Sequence, residues 1–304
     1  MKDVLIINPH AGKGVTRFNR EEMLRILENA GIDAEPAETR SALHAAELAE
    51  EAARNGAERV FISGGDGSVN EAVNGLISAQ KKGFGGTALG IFPNGRGNDF
   101  CDGIGMPVSA AGLTEVFRRD HRIRSDVGTA GDGTFERYFI NGSGYGIDSA
   151  INYYASVSPL KGKPSYAVGI VQSIFRDLHL QEADFEIDGK SFRTPFVLFA
   201  AMNGRQEGGG FHLAPDFSLT DGLLDICMVD GNLSTLKMLM CIPSLHSGNM
   251  NHPGIISMKA ASVHIHLDPD KKGLFSQVDG ETIIERGHDF YSAISPYKLD
   301  IICP

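Results

Sequence analysis

Arg59-Val60-Phe61-Ile62-Ser63-Gly64-Gly65-Asp66-Gly67-Ser68-Val69-Asn70-Glu71 is the stretch on which the fold turns. Residues 59–63 have strand length and, after Arg59, no polar alternation, which suits a strand buried on both faces in a parallel sheet. Gly64-Gly65-Asp66-Gly67-Ser68 breaks the run, and residues 69–78 take up helical spacing. The same rhythm repeats on either side. Residues 4–7 predict a strand and residues 18–30 a helix closed by Gly31. Residues 33–37 predict a strand, 42–55 a helix closed by Gly56, and 87–92 a strand stopped by Pro93. Strands alternating with helices over the first 125 residues imply an α/β domain with a parallel sheet covered by helices.

Three of these strands run into glycine loops. In Gly64 to Ser68, glycine lets a backbone approach a ligand closely, and the N–H groups that open a helix favour a phosphate. Asp66 suits ordering of the loop, a magnesium-bound water or a nucleotide hydroxyl. The next strand ends in Pro93-Asn94-Gly95-Arg96-Gly97-Asn98-Asp99-Phe100, where Asn98 and Asp99 suit a base, a ribose or a metal-bound water, or cap a helix. The first strand ends in Asn8-Pro9-His10-Ala11-Gly12-Lys13-Gly14. This is not a Walker A loop, because Gly14 and Val15 follow Lys13. Ligands of open parallel sheets sit beyond the carboxyl ends of the strands, so the three loops together point to a nucleotide-phosphate crevice.

After residue 125 the period changes. Residues 125–129, 137–141, 183–188, 192–203, 223–229, 262–267 and 275–279 predict strands, with Asp188-Gly189, Asp221-Gly222 and Asp279-Gly280 as turns. Helical pieces fall near residues 147–157 and 166–178. The second half is therefore a strand-rich, antiparallel domain.

Composition narrows the class. The 304 residues carry 28 basic and 38 acidic side chains, a net charge of −10, and 42 % are apolar. An acidic balance argues against nucleic-acid binding. Much of it is local: residues 21–58 hold ten acids and three bases. No apolar run reaches the ~18–20 residues of a membrane span, and residues 4–7 are too short for a signal peptide. Cys101, Cys227, Cys241 and Cys303 are scattered, which argues for a reducing, cytoplasmic setting without disulfides. His264 and His266 share one strand face, and a polar sheet face suits them better than a metal site.

Taken together, the loops resemble the diacylglycerol kinase catalytic family, soluble lipid kinases related to sphingosine kinases. The matching elements run in order: Asn8-Pro9 with Gly12, Gly64 to Ser68 with Asn70-Glu71, and Gly95 with Asn98-Asp99-Phe100. They continue through Phe139-Ile140-Asn141 with Gly144 and Gly146, Ala214-Pro215-Asp216 with Asp221-Gly222-Leu223-Leu224-Asp225, and Val278-Asp279-Gly280-Glu281. The resemblance implies an NAD-kinase- and phosphofructokinase-like nucleotide domain over residues 1–125, with residues 288–304 returning to it. A β-sandwich-like lipid domain would span residues 126–287, with ATP between the two. It implies nucleotide contacts from Asn8, Pro9, His10, Ala11, Gly12, Thr39, Gly64, Gly65, Asp66, Gly67, Ser68, Val69, Asn70 and Glu71, with Arg96, Asn98 and Asp99 in the third loop. It implies Asp279 or Glu281 as the base that takes the lipid hydroxyl's proton, and a magnesium ion near Ser218, Asp221 and Leu223.

The chain departs from the family pattern at Arg96, where threonine is usual. Arg96 could pair with phosphates or block the pocket. Ser68 replaces another threonine, and Cys101-Asp102 stands where Ala-Arg is frequent. The expected activity is ATP- and Mg²⁺-dependent phosphorylation of a lipid hydroxyl, diacylglycerol-like by default. A kinase for a soluble acceptor and a non-catalytic nucleotide- or lipid-binding protein are the alternatives. Such a kinase meets its lipid transiently, at the inner membrane surface. Lys13, Arg17 and Arg20, with Tyr153, Tyr154, Lys161 and Lys163, are the docking patch that the sequence offers, against a reading as ordinary surface residues. A homodimer is compatible with the sequence.

Overall fold

The apolar runs of the N-terminal third pair in parallel. β1 (Asp3–Ile7) lies between β2 (Ala34–Glu38) and β3 (Arg59–Gly64), and β4 (Ala88–Pro93) adds beside β3. Leu5, Ile6, Val60, Phe61, Ile62, Leu89, Ile91 and Phe92 are wholly buried, as continuous apolar strands of a covered sheet must be. The computed structural model describes residues 2–14, 16–158, 168, 169, 172, 173, 176 and 181–304. Lys161, Lys163, most of the helix predicted over 166–178 and the side chain of Lys13 lie outside the described residues.

Five helices accompany this sheet: α1 (Arg20–Asn29), α2 (His44–Arg54), α3 (Asp66–Lys81), α4 (Asp99–Gly103) and α5 (Ala110–Arg119). α1 packs with α5, and α2 with α3. The second pair approaches so closely that a Cβ on Gly75 would lie 2.1 Å from the carbonyl oxygen of Ala46. α1 starts later than its apolar spacing predicts. Asn19 and Glu22 form a capping box that fixes the start, while Phe18 remains outside as a core residue with its N–H held by Asn94 Oδ1 at 2.9 Å. α3 starts earlier than predicted, with Gly65 as N-cap, so the glycine loop is itself the helix's first turn. The sequence reading offered α4 only as a helix that Asn98 and Asp99 would cap, and it missed α5. α5 buries Leu113, Val116 and Phe117 along one face, but its start is marked only by Ser109, whose side chain accepts from Gly112 N.

The remaining elements are β5 (Arg122–Gly131), β6 (Glu136–Phe139), β7 (Gly142–Gly146), α6 (Ile147–Val157), β8 (Gln181–Ile187), β9 (Lys190–Met202), β10 (Leu224–Asp230), α7 (Thr235–Ser247), β11 (Ile255–Ala260), β12 (Ser262–His266), β13 (Leu274–Val278), β14 (Glu281–Gly287) and β15 (Asp289–Ile302). The chain divides into a first unit, Met1–Val127 with Ser295–Pro304, and a second, Gly128–Ile294. The boundaries fall inside β5 and β15. In the second unit every strand pair is antiparallel. β9 carries β8 along its first half and pairs with β7 and β10 along its second, β10 pairs with β11, and β13 joins β14 to β7. A core of Phe139, Tyr145, Phe185, Phe199, Ile226 and Phe290 fills it. The end of β15 belongs to the first unit. There Ile301 pairs in parallel with Leu89 of β4, and Lys298 Nζ meets the buried Asp126 carboxylate at 2.7 Å.

Candidate functional site

Every nucleotide-loop residue of the sequence reading lies in the first unit, at or just beyond the carboxyl ends of β1 to β4. The order β2-β1-β3-β4 makes the β1/β3 boundary the point where successive connections depart in opposite directions. Open α/β sheets bind their ligands there. Asn8, just after β1, and Ser68, in the first turn of α3, meet across it: Asn8 Nδ2 donates to Ser68 Oγ at 2.9 Å. Asn8 Oδ1 accepts from His10 N at 2.9 Å, which turns Pro9 and His10 into the short 3-10 segment Ala11–Gly14. Gly12 has φ +61° and faces the Asn94 carbonyl. Thr39, just after β2, donates its N–H to Ile7 O at 2.9 Å.

The second and third loops are one assembly. A Cβ on Gly95 would stand 2.2 Å from the Cα of Gly65, so only glycine allows the two backbones to meet. Asp66 ties them: Oδ2 accepts from Asn98 N at 2.8 Å and Oδ1 from Phe100 N at 3.4 Å. Asn98, at φ 57°, accepts from Gly95 N through Oδ1 at 2.8 Å and donates Nδ2 to Gly95 O at 3.1 Å. Of the roles open to Asp66, loop ordering is the one this geometry displays. The opening N–H groups of α3 have no intrahelical acceptor and lie at this junction, as does exposed Arg96. Asp99 is buried, and burial with the charge of Asp99 pushes Asp102 up, while Arg17 pulls it down. Val69 and Asn70 are buried in the scaffold. Glu71 accepts from Ala45 N at 3.2 Å, which joins α3 to the start of α2. These three support the crevice from behind rather than line it. Asn94, which the sequence reading passed over, donates Nδ2 to Phe18 O and Ser63 Oγ at 2.9 and 2.8 Å and so anchors the third loop.

In the second unit, Asp279 and Gly280 make the two-residue turn between β13 and β14, with φ 46° and 82°, as a tight primed hairpin demands. The Asp279 carboxylate is buried and accepts three backbone N–H groups, from Ile140 (3.1 Å), Asn141 (2.9 Å) and Gly142 (3.0 Å). It holds the Ile140–Asn141 turn against the hairpin. Glu281, two residues on, is exposed. Gln277 sits behind the turn: its Oε1 accepts from Gly280 N at 2.8 Å and its Nε2 donates to buried Glu207 at 2.5 Å. Neither Gln277 nor Glu207 has a local sequence signal, because they meet only through the sheet. Asp148, at the start of α6, is raised to about 6 by burial, with the Ser149 backbone and Gln277 amide drawing it part of the way back.

At the place expected to hold magnesium, where Asp221 would join backbone groups around Ser218 and Leu223, the side chains bond within the protein. Asp221 Oδ1 accepts from Leu223 N at 3.1 Å and its Oδ2 receives Lys259 Nζ at 2.9 Å. Ser218 Oγ accepts from Thr220 N at 3.3 Å. Lys259 lies directly across the strand pair from Asp225 and meets it at 3.0 Å, so the positive charge at this place is an ammonium. Burial lowers the Lys259 pKa, but the bonds to Asp221 and Asp225 outweigh it and the net direction is up. No group of three or more His, Cys, Asp or Glu side chains suited to a metal occurs among the described residues. His266 pairs with Asp289, and His264 leans on the Tyr291 ring. All four cysteines are free and buried. No helix among the described residues is long and apolar enough to cross a membrane.

The docking patch expected from sequence is changed as well. Tyr154 is buried and Tyr153 stacks on Phe275 at 4.5 Å. Arg286 lies over the other contacts of this cluster, 4.1 Å from the Phe275 centroid. Arg20 is paired with Glu38. The two tyrosines are therefore packing residues.

Residues 2–130 match the diacylglycerol kinase catalytic domain, and residues 143–303 match the YegS C-terminal NAD kinase beta sandwich-like domain. The chain belongs to the family of diacylglycerol kinases and YegS-type lipid kinases. It is 29 % identical over 265 residues to a diacylglycerol kinase of Staphylococcus carnosus, covering 86 % of this chain and 83 % of that one. It is also 29 % identical over 300 residues to the Escherichia fergusonii protein named "Probable lipid kinase YegS", covering 97 % and 94 %. A crystal structure of a diacylglycerol kinase from Bacillus anthracis superposes with a TM-score of 0.72 at 24 % identity, over 100 % of this chain and 97 % of that one. That likeness concerns the fold: an α/β unit with parallel strands and an antiparallel, sandwich-like unit.

Proposed function

We propose that the chain transfers the γ-phosphoryl group of ATP to the hydroxyl of a diacylglycerol-like lipid. The observation that carries the reading is the junction of three glycine loops at the β1/β3 switch point, with Asp66 tying two of them and Asn8 reaching the third helix. Phosphoryl transfer needs positioning and charge neutralisation above all, and backbone N–H groups at a helix start supply both. In this reading the first unit holds the nucleotide through Asn8 to Gly12, Thr39, Gly64 to Ser68 and the Gly95–Asp99 loop, with the guanidinium of Arg96 directed to phosphate. Magnesium would arrive on the nucleotide as part of the substrate, where it offsets phosphate charge.

Within the second unit, the lipid-binding part of this reading, Glu281 is the general base. A base needs a carboxylate that the substrate can reach. Glu281 is exposed, whereas Asp279 has committed both oxygens to three backbone donors. Asp279 then serves to hold the hairpin that presents Glu281.

The test is transfer of labelled phosphate from ATP to a panel of lipids, with Glu281→Gln alongside. The expected result is a labelled lipid product, and loss of at least a hundredfold in kcat for the variant without a change in melting temperature. Transfer only to soluble acceptors, or full activity of Glu281→Gln, overturns the reading.

A further inference from the structure

α7 is apolar on both sides. Cys241 and Leu245 face inward and pack with Cys227 and Val229 of β10 and with Ile255, and Met238 is buried. Leu236 and Met240, one helical turn apart, face outward at 70 % and 58 % exposure, while Ile242, 46 % exposed, lies on the flank of the helix toward His246. A surface helix ordinarily turns a polar face to water, and an outward apolar face of this kind marks something that covers it. The patch continues past the helix. Phe211, 36 % exposed, meets the His246 ring edge-on at 5.9 Å. It sits at the end of the Gly208-Gly209-Gly210 loop, closed by paired backbone bonds between Glu207 and Phe211.

The stretch of chain that carries the helix holds charge of one sign. From residue 231 to residue 267 there is no Asp or Glu, in a chain of net charge −10. Lys237 and His246 on the helix are exposed, as is Arg205 near His212. Burial, with the nearby charges of Arg205 and His246, holds the His212 pKa below its ordinary value. We infer that the outward face of α7, with Phe211, docks on an anionic lipid bilayer. Leu236, Met240 and Phe211 enter the headgroup region, and Lys237 and Arg205 meet lipid phosphates. Each such cation adds ~1 kcal/mol at an anionic surface, about a fivefold gain. Self-association is the poorer fit, because a two-fold contact would set this acid-free helix against its own cations.

The surface is joined to the proposed base within the same unit. Phe211 bonds to Glu207, Glu207 receives Gln277, and Gln277 holds Gly280, the neighbour of Glu281. The inference deepens the lipid-kinase reading by naming where the bilayer meets the enzyme, and in that respect it rests on that reading. The docking itself is measurable without catalysis.

The experiment is co-sedimentation with phosphatidylcholine vesicles, with and without phosphatidylglycerol. Wild-type protein is expected to bind the anionic vesicles. Lys237→Glu and the double variant Leu236→Ser/Met240→Ser should each bind on the order of tenfold more weakly while keeping the wild-type melting temperature. The double variant should also lose activity on lipid held in vesicles and retain it on a short-chain acylglycerol dissolved in water. Sedimentation equal to wild type in both variants overturns the inference. So does a wild-type dimer that the double variant converts to a monomer without change in vesicle binding. Vesicle binding lost in the variants, with no lipid phosphorylated by any form, supports the docking surface and overturns the kinase reading instead.

Discussion

Gly95 and Gly65 touch through their backbones: a Cβ on Gly95 would lie 2.2 Å from the Cα of Gly65 and 2.9 Å from its nitrogen. The contact belongs to two loops that leave adjacent parallel strands, so neither backbone can withdraw without disturbing β3 or β4. Gly95→Ala is therefore expected to cost about 2–3 kcal/mol and to lower the melting temperature by roughly 5–10 °C. It should weaken ATP binding at least tenfold. Calorimetric titration of ATP and a thermal melt check both outcomes, and an unchanged melt would show that the loops do not meet as described.

Asp279 and Glu281 differ in what the fold asks of them: one is buried under three backbone donors and the other is exposed. Asp279→Ala removes the acceptor of three buried N–H groups, each costly to leave unsatisfied, and should destabilise the second unit by about 3 kcal/mol or more. Glu281→Gln should leave stability within about 0.5 kcal/mol of wild type. Urea melts of the two variants decide this independently of any assay for phosphate transfer. A stable Asp279→Ala protein would contradict the hydrogen-bonding account.

Asp148 gives the protein a pH dependence of definite sign. Its folded value, about 6, lies above the ordinary 3.8, so the native state carries an ionised buried carboxyl above pH 6. That penalty is present in full at pH 8, shrinks as pH falls through 6, and is gone below about 4. Asp148→Asn should thus be more stable than wild type by up to about 3 kcal/mol at pH 8, with the gain vanishing by about pH 4. Denaturant melts at several pH values measure it, and a gain that grows toward acid would reverse the assignment.

Lys259 stands between Asp221 and Asp225 where the family resemblance leads one to look for magnesium. In the absence of nucleotide, the melting temperature of the wild type is expected to be the same in EDTA and in millimolar Mg²⁺. Lys259→Met should lose about 1–2 kcal/mol, because two carboxylates are left facing each other, and should recover part of it when Mg²⁺ is added. A wild-type melt that rises with Mg²⁺ would show that the ion binds despite the lysine.

The parallel sheet was readable because its strands are buried on both faces and announce themselves as unbroken apolar runs, Val60 to Ile62 above all. The glycine loops were readable because their backbone requirements leave few residue choices. What escaped was of two kinds. α7 gave no amphipathic signal, since Leu236 and Met240 on one side answer Met238 and Cys241 on the other. Asn94, Glu207 and Gln277 depend on partners 31 to 76 positions away, which no local pattern encodes. Asp279 was visible as a turn residue in a kinase-like motif. Which of its two jobs it performs was not, because sequence records a carboxylate but not how many N–H groups converge on it.

β15 has a bearing on synthesis. The unit that carries the glycine loops takes up Met1–Val127, yet its sheet is finished by Ser295–Pro304, which are made only after the whole second unit. Until those residues emerge, β4 presents a bare parallel edge and Asp126 lacks the ammonium of Lys298. An incomplete chain, stalled or clipped near residue 294, would thus hold an unsealed sheet rather than a smaller working domain. The nucleotide crevice can mature only after the second unit has been translated in full.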